Sequence, residues 1–473
     1  MRIAYISAGA AHMYCGSCLH DNTLVAALQR LGHDAVLVPT YTRLRTDEPD
    51  VSIDRVFFGA LNVYLKQIAP LLRRAPARLE RLLDRPRLLA LVSRLGSSTD
   101  PRRLGELTLS ILRGEEGHQA GELDKLLGWL RDTFQPEVVH LTNSMFAGFA
   151  RRLKAELGVP VLCSVQGEEL FLDSLPEPSR GEVRAALAER ARDIDLFVAP
   201  NRFYADFMAS YLGVERTRLA VVPLGIQLSG HGSAGSTGSS DSSGADLAGY
   251  RPPPAAAPEA GRPWVIGYLA RIAPEKGLQL LADAFRQVAL SLGAGRVRLH
   301  VAGYLPAQHR GYLRGIERQL AGWGLAGAYR YFGEVTREEK LRFLAGLDVL
   351  AAPALFAEPK GLYVLEALAS GVPVVAPRRG AFPELLEETG GGVLVAPDAP
   401  AELAAALGEL LADPERRERL GRAGRAAVHG RFSAEAMAAA TLALYERCLD
   451  GAGGERTARA AGAATAAVGG GRG

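Results

Sequence analysis

Two carboxylates and two cations carry most of the chemistry that this sequence can support. In Glu358-Pro359-Lys360-Gly361-Leu362-Tyr363-Val364-Leu365-Glu366, the two acids stand with seven residues between them. The segment after Lys360 reads as a helix opening near Gly361 and closing at Gly371, apolar or aromatic from Leu362 to Ala369 except at Glu366. A carboxylate inside such a helix is costly unless it is paired or hydrogen-bonded. Glu358 falls in the preceding loop, where ligands of open α/β sheets sit. The backbone N–H groups of Gly361 and Leu362 at the amino end of the helix suit an anionic group such as a phosphate. The second piece is Gly267-Tyr268-Leu269-Ala270-Arg271-Ile272-Ala273-Pro274-Glu275-Lys276-Gly277, a strand followed by a turn that brings Arg271 and Lys276 close. Two fixed cations stabilise the charge that collects on a departing diphosphate.

The elements needed to hold these groups are legible as alternating apolar runs and amphipathic stretches, the pattern of βα units on parallel sheets. Strands are predicted over residues 2–7, 35–39, 138–141, 161–165, 196–199 and 219–222. Six more are predicted over 264–269, 298–302, 329–332, 349–352, 373–376 and 392–395. The fold class is therefore α/β, with a doubly wound sheet in each half and a cleft expected between the halves at the carboxyl ends of the strands. Residues 229–263 are rich in Ser, Gly, Ala and Pro and read as a linker between domains at 1–228 and 264–432. Residues 433–450 read as a last helix, and the Ala- and Gly-rich 451–473 as a disordered tail. A helical insertion is expected at about residues 62–130.

Composition narrows the function. A chain of 473 residues with 48% hydrophobic side chains is globular and long enough for two domains. The 55 basic and 52 acidic side chains leave a formal charge of +3, which argues against nucleic acid as a partner. Only six of the basic residues are lysine, so arginine clusters carry little weight. Residues 66–103 hold ten basic and three acidic groups, read as a solvated helix surface, with peripheral contact to a membrane or an anionic acceptor as the alternative. The four cysteines (Cys15, Cys18, Cys163 and Cys448) do not make a disulfide framework. Cys15-Gly16-Ser17-Cys18 reads as small residues closing a Gly-containing loop rather than as a redox pair or zinc site. No apolar stretch is long enough to cross a bilayer, and a cytoplasmic protein without a metal site is expected.

The spacing of Glu358 and Glu366, the following Ala-Ser-Gly-Val-Pro-Val-Val, the Arg271 to Lys276 turn and Phe332-Gly333-Glu334-Val335 together resemble the retaining family 4 glycosyltransferases. The first half resembles them more loosely, through its opening strand, Leu31-Gly32-His33-Asp34-Ala35-Val36 and residues 201–225. The resemblance implies two facing Rossmann-like domains, the GT-B arrangement, with a nucleotide diphosphate sugar in the second, an acceptor held by the first and no required cofactor. It implies that Glu366 binds the donor ribose, Arg271 and Lys276 the diphosphate, and Glu358 the sugar hydroxyls beside the anomeric carbon. The acceptor itself, whether a sugar, a lipid-linked group or a small molecule, is not specified.

Relatives often carry His after the fourth strand of the first half, where this chain has Val165-Gln166-Gly167-Glu168-Glu169. A glutamine takes no proton at neutral pH. The acceptor side is therefore expected to use Gln166 as a hydrogen-bonding group, with Gly16, His140, Glu168 and Glu169 as its other candidates and the leaving phosphate oxygen as base. A phosphorylase or epimerase of the same fold, and a nucleotide-binding module without chemistry, remain alternatives at this point.

Overall fold

The computed structural model describes residues 1–9, 15–57, 101–231 and 262–469, with side chains left out at 101–103 and 452–469. The chain divides into two compact units, Met1–Pro223 with Glu435–Gly473, and Leu224–Ala434.

The first unit is built on six parallel strands: β1 (Arg2–Ser7), β2 (Asp34–Pro39), β3 (Val138–Leu141), β4 (Val161–Ser164), β5 (Leu196–Ala199) and β6 (Leu219–Val221). They lie in the order β2-β1-β3-β4-β5-β6. Every residue of β3 and β4 is buried, which explains why these strands read as continuous apolar runs. The second unit repeats the plan with β7 (Trp264–Leu269), β8 (Val297–Ala302), β9 (Tyr329–Tyr331), β10 (Val349–Ala351), β11 (Val374–Pro377) and β12 (Gly392–Val395), ordered β12-β11-β10-β7-β8-β9. Along β7, Trp264, Ile266 and Tyr268 enter one apolar cluster while Val265 and Leu269 enter another, so helices cover both faces of this sheet.

In each sheet the strand order reverses once: after β2 the chain returns to the other side of β1, and after β9 to the other side of β7. Loops at the carboxyl ends of β1 and β3, and of β7 and β10, therefore diverge and leave a crevice.

Two expectations change. The boundary falls at Pro223 rather than near residue 228, because Leu224 and Ile226 are buried in the apolar cluster that also holds Val265 and Phe432. Ile226 N–H donates to Phe432 O at 2.9 Å, and Ala434 N–H to Ile226 O at 3.0 Å, which clip this segment to the second unit. The final helix spans Ala434–Gly469 and so runs through the stretch expected to be a disordered tail. Alanine, the strongest helix former, accounts for the continuation. Of the expected insertion, residues 62–100 lie outside the described residues, as do most of the basic stretch and linker residues 232–261. The remainder forms helices Pro101–Leu112 and Ala120–Trp129.

Candidate active site

In the second unit, the loops after β7 and β10 meet at the reversal of strand order. The turn after β7 ends in a short 3₁₀ segment, Pro274–Lys276, before helix Leu278–Leu292. Gly277 closes it with φ +77°, and a Cβ there would lie 1.9 Å from Pro353 O. Only glycine permits both the left-handed backbone and that approach. Leu355 N–H donates to Glu275 O at 2.9 Å. The two loops so fastened bring Lys276 Nζ to 2.6 Å from Glu358 Oε2, with both side chains largely buried. The Lys276 ammonium also lies 4.7 Å from the Phe356 ring centroid, within cation–π range. A third loop, after β11, holds Glu358 from behind: Ala381 N–H donates to Glu358 O at 2.8 Å.

Helix Leu362–Ala369 begins beside this pair, preceded by Gly361 at φ +78°. Its N-cap residue, Gly361, has no side chain with which to cap the first N–H groups. Arg271 lies on the same turn as Lys276, but its guanidinium pairs with Glu275 at 2.6 Å and is nearly half exposed. Glu366 is buried within the helix as expected, and its partner is Lys340 of helix Arg337–Ala345, which donates to Glu366 Oε1. Sequence reasoning missed Lys340. It sits in Thr336-Arg337-Glu338-Glu339-Lys340, where the Thr336/Glu339 capping box makes the whole segment read as solvated.

In the first unit, the corresponding crevice holds a buried polar network. Gln166, just past β4, donates from Nε2 to Asp21 Oδ1 and to Thr142 O, both at 2.9 Å. Asp21 also accepts from Tyr5 OH at 2.8 Å, Ser7 Oγ at 2.9 Å and Thr142 Oγ1 at 2.6 Å, with His20 Nδ1 at 3.2 Å. Burial alone would raise the Asp21 carboxyl, but the hydrogen bonds from His20, Thr142 and Tyr5, with the His20 charge, outweigh it and hold the pKa below the ordinary value. Asp21 was not anticipated, although Cys18, Asp21, Val25 and Leu28 of helix Gly16–Arg30 share one buried stripe at helical spacing.

Glu168 fastens two loops: its Oε1 accepts from Ser144 N–H at 3.0 Å and Ser144 Oγ at 2.7 Å, and its Oε2 from Gln166 N–H at 2.7 Å. Glu169 accepts from the Tyr204 hydroxyl. Burial, reinforced by the Glu168 charge, raises its pKa to about 7 against the lowering by Tyr204. His140 does not face a ligand as expected. It is fully buried within β3, with Nδ1 2.7 Å from Tyr445 OH and Nε2 2.9 Å from Ser164 Oγ. Burial lowers its pKa to about 3. Gly16 opens the helix that carries Asp21. Among the described residues no three His, Cys, Asp or Glu side chains converge as a metal would need.

Residues 254–427 match the glycosyl transferases group 1 family, and residues 22–225 the glycosyl transferase 4-like domain. The chain is a glycosyltransferase, each half matching its own glycosyltransferase model. A D-inositol 3-phosphate glycosyltransferase of Segniliparus rotundus is 29% identical over 74% of this chain and 72% of its own. A GDP-mannose-dependent alpha-(1-6)-phosphatidylinositol monomannoside mannosyltransferase of Mycobacterium tuberculosis is 29% identical over 41% of this chain and 52% of its own. Two solved structures share the fold. Sucrose-phosphate synthase from Thermosynechococcus elongatus has a TM-score of 0.66 and 17% identity, covering 95% of this chain and 99% of that one. HepE of Anabaena, in complex with UDP and glucose, has a TM-score of 0.63 and 16% identity, covering 94% and 100%. This glycosyltransferase accordingly uses a nucleotide-sugar donor. No helix among its described residues is long and apolar enough to cross a membrane.

Proposed function

We propose that this glycosyltransferase moves a hexose from a nucleoside diphosphate sugar to the hydroxyl of a sugar or polyol, with retention at the anomeric carbon. The observation that carries the reading is the Lys276–Glu358 pair at the strand-order reversal, beside the amino end of helix Leu362–Ala369. An anion placed there meets the Lys276 ammonium, the N–H groups of Gly361 and Leu362, and Arg271 once it turns from Glu275. These are the groups a diphosphate needs as its negative charge grows. Glu358 then accepts hydroxyls of the sugar while still holding Lys276, and Glu366, oriented by Lys340, accepts those of the ribose.

Retention follows if the acceptor enters on the face from which the diphosphate leaves. The bond from the anomeric carbon to the phosphate oxygen breaks, the bond to the acceptor oxygen forms, and the acceptor proton passes to that phosphate oxygen. Gln166 takes no part in proton transfer and hydrogen-bonds the acceptor. The relatives named for inositol phosphate and phosphatidylinositol substrates favour a polyol or glycolipid headgroup as acceptor. Basic residues 66–103 would let the enzyme meet such a headgroup at a membrane surface.

The test pairs calorimetry with UDP, GDP and ADP against transfer assays using UDP-glucose and GDP-mannose with myo-inositol and methyl α-D-mannoside. Nucleotide binding and a product whose anomeric proton coupling matches the donor are expected. Nucleotide binding without turnover would reduce the protein to a binding module, and an inverted product would refute the same-face reaction.

A further inference from the structure

We propose that Arg379, held by Asp398, is a positioning residue that fixes Glu358 for the sugar half of the nucleotide-sugar donor. The inference rests on the reading of the Lys276–Glu358 pair as part of the donor site. Every residue it uses belongs to the second unit. Glu358 ends the segment 355–358, in the loop after β10. That segment is fastened at both ends by the loop after β11. Arg379 Nη1 donates to Leu355 O at 2.6 Å, and Ala381 N–H donates to Glu358 O at 2.8 Å. Between these two contacts the Gly380 backbone lies so close that a Cβ there would be 2.5 Å from Glu358 N. The Leu355 N–H is used as well, donating to Glu275 O at 2.9 Å beside Lys276. The Leu355 peptide therefore joins the turn that carries Lys276 to the loop that carries Arg379.

The Arg379 guanidinium is itself held. Its Nη1 donates to Asp398 Oδ1 at 3.1 Å and its Nη2 to Asp398 Oδ2, so the planar fork meets the carboxylate at two points. The hydrogen bond from Arg379 keeps the Asp398 carboxyl below its ordinary pKa. Asp398 lies in the turn between β12 and helix Pro400–Ala412 with φ +57°, one of two non-glycine residues at positive φ among the described residues. Aspartate tolerates that backbone at a cost, and such a conformation persists where the surroundings impose it. Here it accompanies a carboxylate set squarely on Arg379. Asp398 is half exposed, where an ion pair contributes little stability. What the pair supplies is orientation: it fixes the direction from which Nη1 reaches Leu355 O, and through residues 355–358 the place of Glu358.

Calorimetry on the full chain with UDP, GDP, UDP-glucose and GDP-mannose tests this. The readout is the affinity for a nucleotide sugar relative to that for its own nucleoside diphosphate. Arg379→Ala should lower that ratio about tenfold or more at unchanged stoichiometry, because residues 355–358 carry the carboxylate for the sugar hydroxyls. Lys276 meanwhile keeps its own turn, closed by Gly277 against Pro353. Asp398→Asn retains a side chain suited to positive φ but removes the charge, and should lower the ratio about threefold. Arg379→Lys keeps a donor for Leu355 O without the two-point fork, and should recover most of what the alanine variant loses. A general loosening of the unit would lower the melting temperature or the stoichiometry and leave the ratio where it was.

A folded Arg379→Ala protein with the wild-type ratio overturns the proposal, as does an Arg379→Lys protein no better than the alanine variant. Should Arg379→Ala fail to fold, the Asp398→Asn ratio decides. Lys276→Ala separates the proposal from the reading beneath it. If that variant binds every probe as the wild type does, or if the wild type binds none of them, the donor-site reading is refuted and the proposal with it. Affinity lost in Lys276→Ala beside an unchanged ratio in Arg379→Ala refutes the proposal alone.

Discussion

Replacing Lys276 by alanine strikes the donor site and the fold together, and the two effects can be separated. Lys276 Nζ and Glu358 Oε2 are 2.6 Å apart, with side-chain exposures of 16% and 6%. Charges centred about 4 Å apart attract by about 4 kcal/mol at an effective dielectric constant of 20. Removing one partner of a buried pair typically costs about 3–5 kcal/mol, because the other charge stays buried alone. Lys276→Ala should therefore destabilise the second unit by about that amount. Loss of its contact with the leaving diphosphate should lower kcat by roughly 100-fold or more, from about 3 kcal/mol of transition-state stabilisation. The double variant Lys276→Met/Glu358→Leu replaces the pair by apolar groups of similar size and should recover stability to within about 1 kcal/mol of wild type. Its activity should stay lost. Of the three tryptophans, Trp264 and Trp323 belong to the second unit, so in a Trp129→Phe background urea unfolding followed by fluorescence reports on that unit. A Lys276→Ala loss under about 1 kcal/mol, or no recovery in the double variant, would show that the pair is not the buried interaction described.

Gly277→Ala should lower both stability and turnover, since its Cβ would meet Pro353 O at 1.9 Å from a backbone at φ +77°. A cost of about 1–3 kcal/mol is expected from urea unfolding, with kcat falling as Lys276 and Glu358 are forced apart. Lys340→Arg should weaken nucleotide binding measured by calorimetry, because a planar guanidinium cannot occupy the site of a buried ammonium that is 8% exposed against Glu366. His140 makes the first unit acid-sensitive: its folded pKa of about 3 lies below the unfolded value near 6.5, so the unfolded chain takes up the proton first. Stability is full above pH 6.5 and falls as pH drops toward 3, by up to about 4–5 kcal/mol, and a His140→Gln melting series should show a shallower acid limb.

Most of the architecture was legible because buried parallel strands announce themselves as apolar runs; all twelve predicted strands are present, with ends shifted by at most a residue or so. The places of Arg271, Lys276, Glu358, Gly361 and Leu362 in the fold were legible for a related reason, since each follows a recognisable strand or opens a recognisable helix. Lys340 and Asp21 were not, because whether a charged side chain is buried depends on a partner that distant chain segments deliver. The same limit hid the role of His140, whose position at a strand was plain while its partner Tyr445 is 305 residues away.

Lysine usage adds a physical link between these cases. The chain has 55 Lys and Arg residues, of which only six are Lys, yet two of the six are Lys276 and Lys340, the partners of Glu358 and Glu366. An ammonium is a compact point charge on a flexible stem, whereas a guanidinium is a wide planar fork whose donors all need partners. In a loop-to-loop gap closed by Gly277 against Pro353, and beneath a helix that is apolar on nearly every side, the fork would leave buried donors unmatched. The ammonium instead reaches its carboxylate through one oxygen, Oε2 of Glu358 or Oε1 of Glu366. Each acid of the proposed donor site is thus held in place by a compact cation, which ties the rarest basic residue of the chain to two of its buried carboxylates.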